Sequence, residues 1–222
     1  LNEVAFPAYA RMQADRQAVA ASFAKALGLI MLVALPCYVG LAATAEPLVL
    51  TAMGTQWQGV VPLVRLLAFA MPFVTLHVLY PPATNALGQP RIGAMSAGAG
   101  AVLLPGAFTL GVQFGPVGMA AAWLVAMPIL VSFSSSLSLP VIGLSWRGLA
   151  GAIVPALVAA LGMGAAVTGL DRLLPPMAPA VRLMTLVSFG ILSYGALVMV
   201  VARPAALRAL TMIRGGGVAG VA

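Results

Sequence analysis

Six long runs of apolar residues, separated by short polar or proline-rich stretches, divide this 222-residue chain. The clearest is Ala26–Ala45, twenty residues with no charge. At 1.5 Å per residue a helix of that length crosses a hydrocarbon layer of roughly 30 Å. Five more runs follow, at about 60–80, 92–112, 117–139, 149–170 and 183–202. Each is long enough for a spanning helix. The pattern predicts an all-α polytopic membrane bundle of six transmembrane helices over residues 26–202.

The connections carry the turn signals. Gln113–Pro116 is so short that the third and fourth runs must form a tight helical hairpin. Pro81–Arg91 and Val141–Gly148 read as turns ending near a basic residue, and 171–182 as a proline-rich loop. Glu46–Gly59 is too short to cross and too apolar for a free loop, which predicts an interfacial or re-entrant turn with Trp57 at headgroup depth. Residues 1–25 read as the cytoplasmic end of a preceding span and a basic loop, and residues 203–222 as a partly disordered cytoplasmic tail. The polar opening, Leu1-Asn2-Glu3, suggests that the sequence is the C-terminal portion of a longer protein.

Composition narrows the class. Hydrophobic residues make up 62% and charged residues 7%, against about a quarter charged in a soluble domain. The net charge of +7 comes from basic residues scattered singly between apolar runs, without clusters, so topology accounts for it and no nucleic-acid partner is expected. With the first loop cytoplasmic, Arg11, Arg16, Lys25, Arg91, Arg147, Arg203, Arg208 and Arg214 fall inside, and Arg65, Arg172 and Arg182 outside. The positive-inside rule selects that orientation, with both ends of the segment cytoplasmic.

Candidate chemistry is sparse. Pro36, Pro72, Pro105, Pro128 and Pro155 sit within five of the six runs and are candidate kinks or hinges, as in helices that rock around a cavity. Ordinary kinking explains the same residues. Arg65 lies five residues past the start of its run; it offers a fork of donors to a phosphate or carboxylate if it faces a cavity, or snorkels to headgroups if it faces out. Lys25, nearer its membrane edge, carries the same two readings. His77 is a third candidate contact, weighed against a hydrogen-bonded packing role because no acid shares a run with it. The serines at 132, 134, 135, 136 and 138 either line a polar face or bond across helices. The acids are Glu3, Asp15, Glu46 and Asp171, all placed outside the runs, so neither a metal site nor acid/base catalysis is expected. No enzyme activity and no cofactor are expected, and Cys37, the only cysteine, forms no internal disulfide.

The order of several features resembles the polysaccharide exporter, or Wzx-type oligosaccharide flippase, families of the MOP exporter superfamily. The features are Pro7, Arg11, Asp15 and Arg16, then Pro36 and Gly40, then Pro47, Gly54 and Trp57. The turn NALGQPR (Asn85–Arg91) and the loop GLSWRGL (Gly143–Leu149) are also similar. The resemblance implies the C-terminal lobe of a larger transporter in the bacterial inner membrane. It implies movement of an undecaprenyl-pyrophosphate-linked sugar unit by alternating access, in lipopolysaccharide or exopolysaccharide biosynthesis. Implied partners are that lipid-linked oligosaccharide, membrane lipids, the missing N-terminal lobe, and a polysaccharide polymerase and chain-length regulator. Basic cavity residues such as Arg65 and Lys25 would then meet the pyrophosphate. Two alternatives stay open: a multidrug/cation antiporter of the same superfamily, and a non-transporting envelope scaffold subunit.

Overall fold

A computed structural model describes the backbone of residues 2–201 and the side chains of residues 17–200. The expected tail at 203–222 lies outside the described residues. Every regular element among the described residues is helical. The order is α1 (Asn2–Ala43), α2 (Ala45–Ala52), a 3-10 turn (Thr55–Val60), α3 (Val61–Ala86), α4 (Pro90–Gly111), α5 (Gly115–Ile142), α6 (Trp146–Leu173) and α7 (Pro179–Val201). Among the described residues, five continuous stretches are long and apolar enough to cross a membrane. One of them, Pro90–Ile142, has 53 residues and would run about 80 Å if straight.

It folds back instead. A 3-10 turn at Val112–Phe114 reverses the chain, and the helices on either side pack antiparallel. Phe108 stacks on Trp123 with ring centroids 5.4 Å apart, and Gly100 faces Leu130. At the apex a Cβ on Gly111 would lie 2.7 Å from the Gly118 carbonyl oxygen, so only glycine lets the backbones approach this closely. These pairs sit at mirror positions about residue 115, which fixes the register. The expected tight hairpin is present, and the described residues form a polytopic all-α bundle with six long apolar helices.

One expectation about segments changes. The basic loop expected before Lys25 is helical, continuous with α1 from Asn2. Its sequence is rich in Ala, Gln, Met and Arg, which favour helix, and charge alone does not end one. The connection after α1 is a short helix and a 3-10 turn. The break at Thr44 follows from Pro47, which has no N–H to offer the Ala43 carbonyl. Thr44 Oγ1 donates to the Gly40 carbonyl at 2.8 Å, and Trp57 is exposed. Between α3 and α4, Gly88 has φ of 71° and the Gln89 N–H reaches back to the Thr84 carbonyl at 2.9 Å, closing α3. Gly143, with φ of 81°, closes α5 in the same way. Both glycines occupy a left-handed conformation that other residues avoid. Ser145 Oγ then accepts the Gly148 N–H, capping α6.

The described chain forms two compact units, residues 2–27 with 70–152, and residues 28–69 with 153–201. In the first, the α4–α5 hairpin packs with the second half of α3 and part of α1. In the second, the rest of α1 packs with α2, the start of α3, α6 and α7. There α2 buries Ala45 and Val49 against Val61 and Val64 of α3. At Gly164 of α6 a Cβ would come within 2.5 Å of Val39 of α1, a second close helix approach that depends on glycine.

Candidate functional site

The first unit holds a buried seam of hydroxyls. Along α3, His77, Tyr80 and Thr84 recur at helical spacing on one stripe, and that stripe meets α5. The Tyr80 hydroxyl pairs with Ser135 Oγ at 2.6 Å, and Ser134 Oγ pairs with His77 Nδ1 at 3.2 Å. Thr84 Oγ1 donates to the Tyr80 carbonyl at 3.2 Å. Thr84, Ser134, Ser135 and Ser138 are fully buried, with Tyr80 2% exposed. The hairpin register sets Ser96 of α4 level with Ser134, and Ser96 is 4% exposed. His77 and Ser134 lie eight or nine residues from the ends of α3 and α5, about 12–14 Å inside the bundle. A protein interior seldom leaves a buried hydroxyl unpaired, yet Ser138 Oγ has no partner among the described residues.

The serine group therefore divides by helical phase. Ser134 and Ser135 bond across helices, while Ser132 and Ser136 turn back to the carbonyls of Pro128 (2.8 Å) and Phe133 (2.7 Å) on their own helix. Tyr80 and Thr84 are additions that the sequence reading missed. The signal was present, since His77, Tyr80 and Thr84 recur at helical spacing in the second half of α3.

Tyr80 also packs against a residue that walls a cleft. Its ring stacks on Phe23 of α1 with centroids 6.0 Å apart. Beside it lies an apolar cleft of about 610 Å³ walled by Ala18, Ser22, Phe23 and Ala26 of α1 and by Leu79 and Pro82 of α3. The two stripes of α3 thus face different surroundings, hydroxyls on one and this cleft on the next.

The other sequence candidates lie elsewhere. Lys25 of α1 is exposed and is not a wall of the cleft. Arg65 is exposed on the first turns of α3, in the second unit, and makes no ion pair with a described residue. Lys25 and His77 belong to the first unit and Arg65 to the second. Pro36, Pro72, Pro105, Pro128 and Pro155 all lie inside continuous helices, each leaving the carbonyl four residues earlier without its usual donor.

The second unit holds a charge cluster that the sequence reading treated only as loop charges. Arg182 near the start of α7 donates from Nε to Asp171 Oδ1 at 2.6 Å and from Nη2 to Asp171 Oδ2 at 2.8 Å. Glu46 of α2 stands 3.8 Å from the same guanidinium. The fork geometry suits a planar carboxylate, and three helix ends meet on one cation.

Against known proteins, residues 1–62 match a family described as polysaccharide biosynthesis protein. That stretch covers α1, α2 and the turn bearing Trp57, where the Pro36, Gly40, Pro47, Gly54 and Trp57 pattern lies. No curated protein and no solved structure matches the chain. The match and the apolar helices together fit a multi-pass membrane protein related to polysaccharide biosynthesis.

Proposed function

We propose that this chain belongs to a transporter that moves a lipid-linked oligosaccharide across the bacterial inner membrane by alternating access. The observation that carries the reading is the match of residues 1–62 to polysaccharide biosynthesis proteins, in a chain made of apolar, proline-bearing helices. The chemistry here is that of a carrier. Its substrate would be an undecaprenyl-pyrophosphate-linked repeat unit for lipopolysaccharide or exopolysaccharide, and both ends of the segment would be cytoplasmic. A further lobe of the same protein, membrane lipids, a polymerase and a chain-length regulator would be its partners, with no nucleic acid or cofactor involved.

In this reading Arg65 would grip a pyrophosphate oxygen pair through its fork, and Lys25, at the opposite membrane face, would meet the pyrophosphate separately. His77 would be held by Ser134 through Nδ1, with Nε2 directed to a sugar hydroxyl. The prolines would supply bends between access states. A cation-coupled antiporter would want a free carboxylate within a span. Among the described acids, Glu46 and Asp171 both sit on Arg182, which speaks against that alternative in this segment.

The test is the lipid-linked saccharide pool in cells whose gene is deleted. A complete repeat unit accumulating on the cytoplasmic leaflet, with surface polymer lost, is expected. Unchanged pools and polymer with altered drug sensitivity would point to the antiporter, and unchanged pools alone to a scaffold.

A further inference from the structure

A proline inside a helix withdraws one N–H, and the carbonyl four residues earlier loses its partner. For Pro36 of α1 that carbonyl belongs to Leu32. The vacancy is filled from another helix: Tyr194 of α7 donates its hydroxyl to the Leu32 carbonyl oxygen at 2.6 Å. The tyrosine is held in place by packing, since Leu32, Tyr194 and Leu197 lie together on buried Ala159 and Val198. Beyond Pro36, α1 is pinned again where Val39 meets Gly164 of α6. The proline turn therefore lies between a hydrogen bond on one side and a glycine contact on the other.

We propose that Tyr194 is the positioning residue of a hinge in α1. Its hydroxyl stands in for the N–H that Pro36 lacks and holds the Leu32–Pro36 turn closed; its release lets α1 bend there. A backbone N–H could not serve this way, because it is fixed in the helix it belongs to. A phenol on a neighbouring helix moves with that helix, so displacement of α7 relative to α1 makes or breaks the bond. In apolar surroundings an unpaired carbonyl is costly, and the turn is then either held by Tyr194 or opened far enough to find another donor. This use of the bond rests on the alternating-access reading above; the bond itself does not.

Cys37, next to Pro36, is exposed and is the only cysteine in the sequence, which makes it a probe of the hinge. The experiment measures maleimide modification at the Cys37 peptide in the full chain reconstituted in lipid vesicles. Four forms are compared: the parent, Tyr194→Phe, Pro36→Ala, and the double variant. Loss of the hydroxyl from the parent is expected to raise the labelling rate about fivefold or more. With Pro36→Ala the helix donates to Leu32 itself, so the same Tyr194→Phe change is expected to alter the rate less than about twofold. An equal rise in both backgrounds, or no rise in the first, overturns the assignment.

If Tyr194→Phe fails to fold, folding of the double variant as well as Pro36→Ala shows the same dependence and supports it. Failure of both tyrosine variants while Pro36→Ala folds overturns it. Neither readout needs transport, so normal lipid-linked pools in the deletion strain would remove the flippase reading and leave the hinge test standing.

Discussion

Removing Ser135 should cost this protein more than removing the hydroxyl it pairs with. Tyr80 is 2% exposed and its hydroxyl has Ser135 Oγ at 2.6 Å. Ser135→Ala strands a buried phenol in apolar surroundings, a loss of about 1–3 kcal/mol. Polar contacts between membrane helices average nearer 0.6 kcal/mol, because the unfolded chain also finds partners in the bilayer. A loss of about 1.5 kcal/mol lies between the two. The converse change behaves differently. With Tyr80→Phe, Ser135 can turn to the Val131 carbonyl one turn back, as Ser132, Thr75 and Thr168 do with theirs. That change should cost about 0.5 kcal/mol, and the double variant little more than Tyr80→Phe alone, because neither partner then survives unpaired. The assay is reversible unfolding of the full chain in mixed micelles, fitted for all four corners of the cycle. Equal losses for the two single variants, or a double variant equal to their sum, would refute the reasoning.

Four further outcomes rest on contacts in the same bundle. Ser138→Ala should be neutral or stabilising by up to about 1 kcal/mol in the same unfolding assay, because its buried hydroxyl gains no bond from a described residue in return for leaving water. Gly118→Ala should destabilise the hairpin by about 2 kcal/mol or more, since the added methyl meets the Gly111 carbonyl and Phe114 Cβ; Gly98→Ala, which meets nothing within 4 Å, should be neutral or gain up to about 1 kcal/mol. A cycle of Asp171→Asn with Arg182→Gln should show a coupling of about 1–2 kcal/mol, because the pair is bidentate and only 18% and 28% exposed. Glu46→Gln, at 3.8 Å and 34% exposure, should cost under about 0.5 kcal/mol, less still in 1 M NaCl.

The architecture was legible because a bilayer requires it. A run such as Ala26–Ala45 must be a helix to satisfy its own backbone, and the few residues at 113–116 leave no geometry but a hairpin. The start of α1 was misplaced for a related reason. Charges at Arg11, Asp15, Arg16 and Lys25 mark a membrane edge, and an edge does not end a helix. The seam was only half legible. In a helix apolar on all sides, such as α5, the facing of each residue cannot be read from hydropathy, so the phase that buries Ser134, Ser135 and Ser138 and leaves Ser132 and Ser136 outward was open. The Asp171–Arg182 pair escaped for want of helix ends. Only once α6 runs to Leu173 and α7 begins at Pro179 does the five-residue link bring the two together.

That pair also changes how Arg65 is understood. With Arg182 occupied by two carboxylates, Arg65 is an arginine at the same end of the topology that makes no ion pair with a described acid. A guanidinium within the first turns of α3 must reach lipid headgroups or an anionic ligand, and both fit an exposed side chain. The two differ in what they ask of the head group. Snorkelling needs a long stem and a charge, which lysine also has. Two-point binding of a pyrophosphate needs the planar fork, which lysine lacks. Arg65→Lys should therefore cut export about tenfold, with Arg65→Ala lower still, if Arg65 holds the substrate. Export at parental levels for Arg65→Lys would assign Arg65 to the headgroups, and the pyrophosphate contact would have to be sought elsewhere in the bundle.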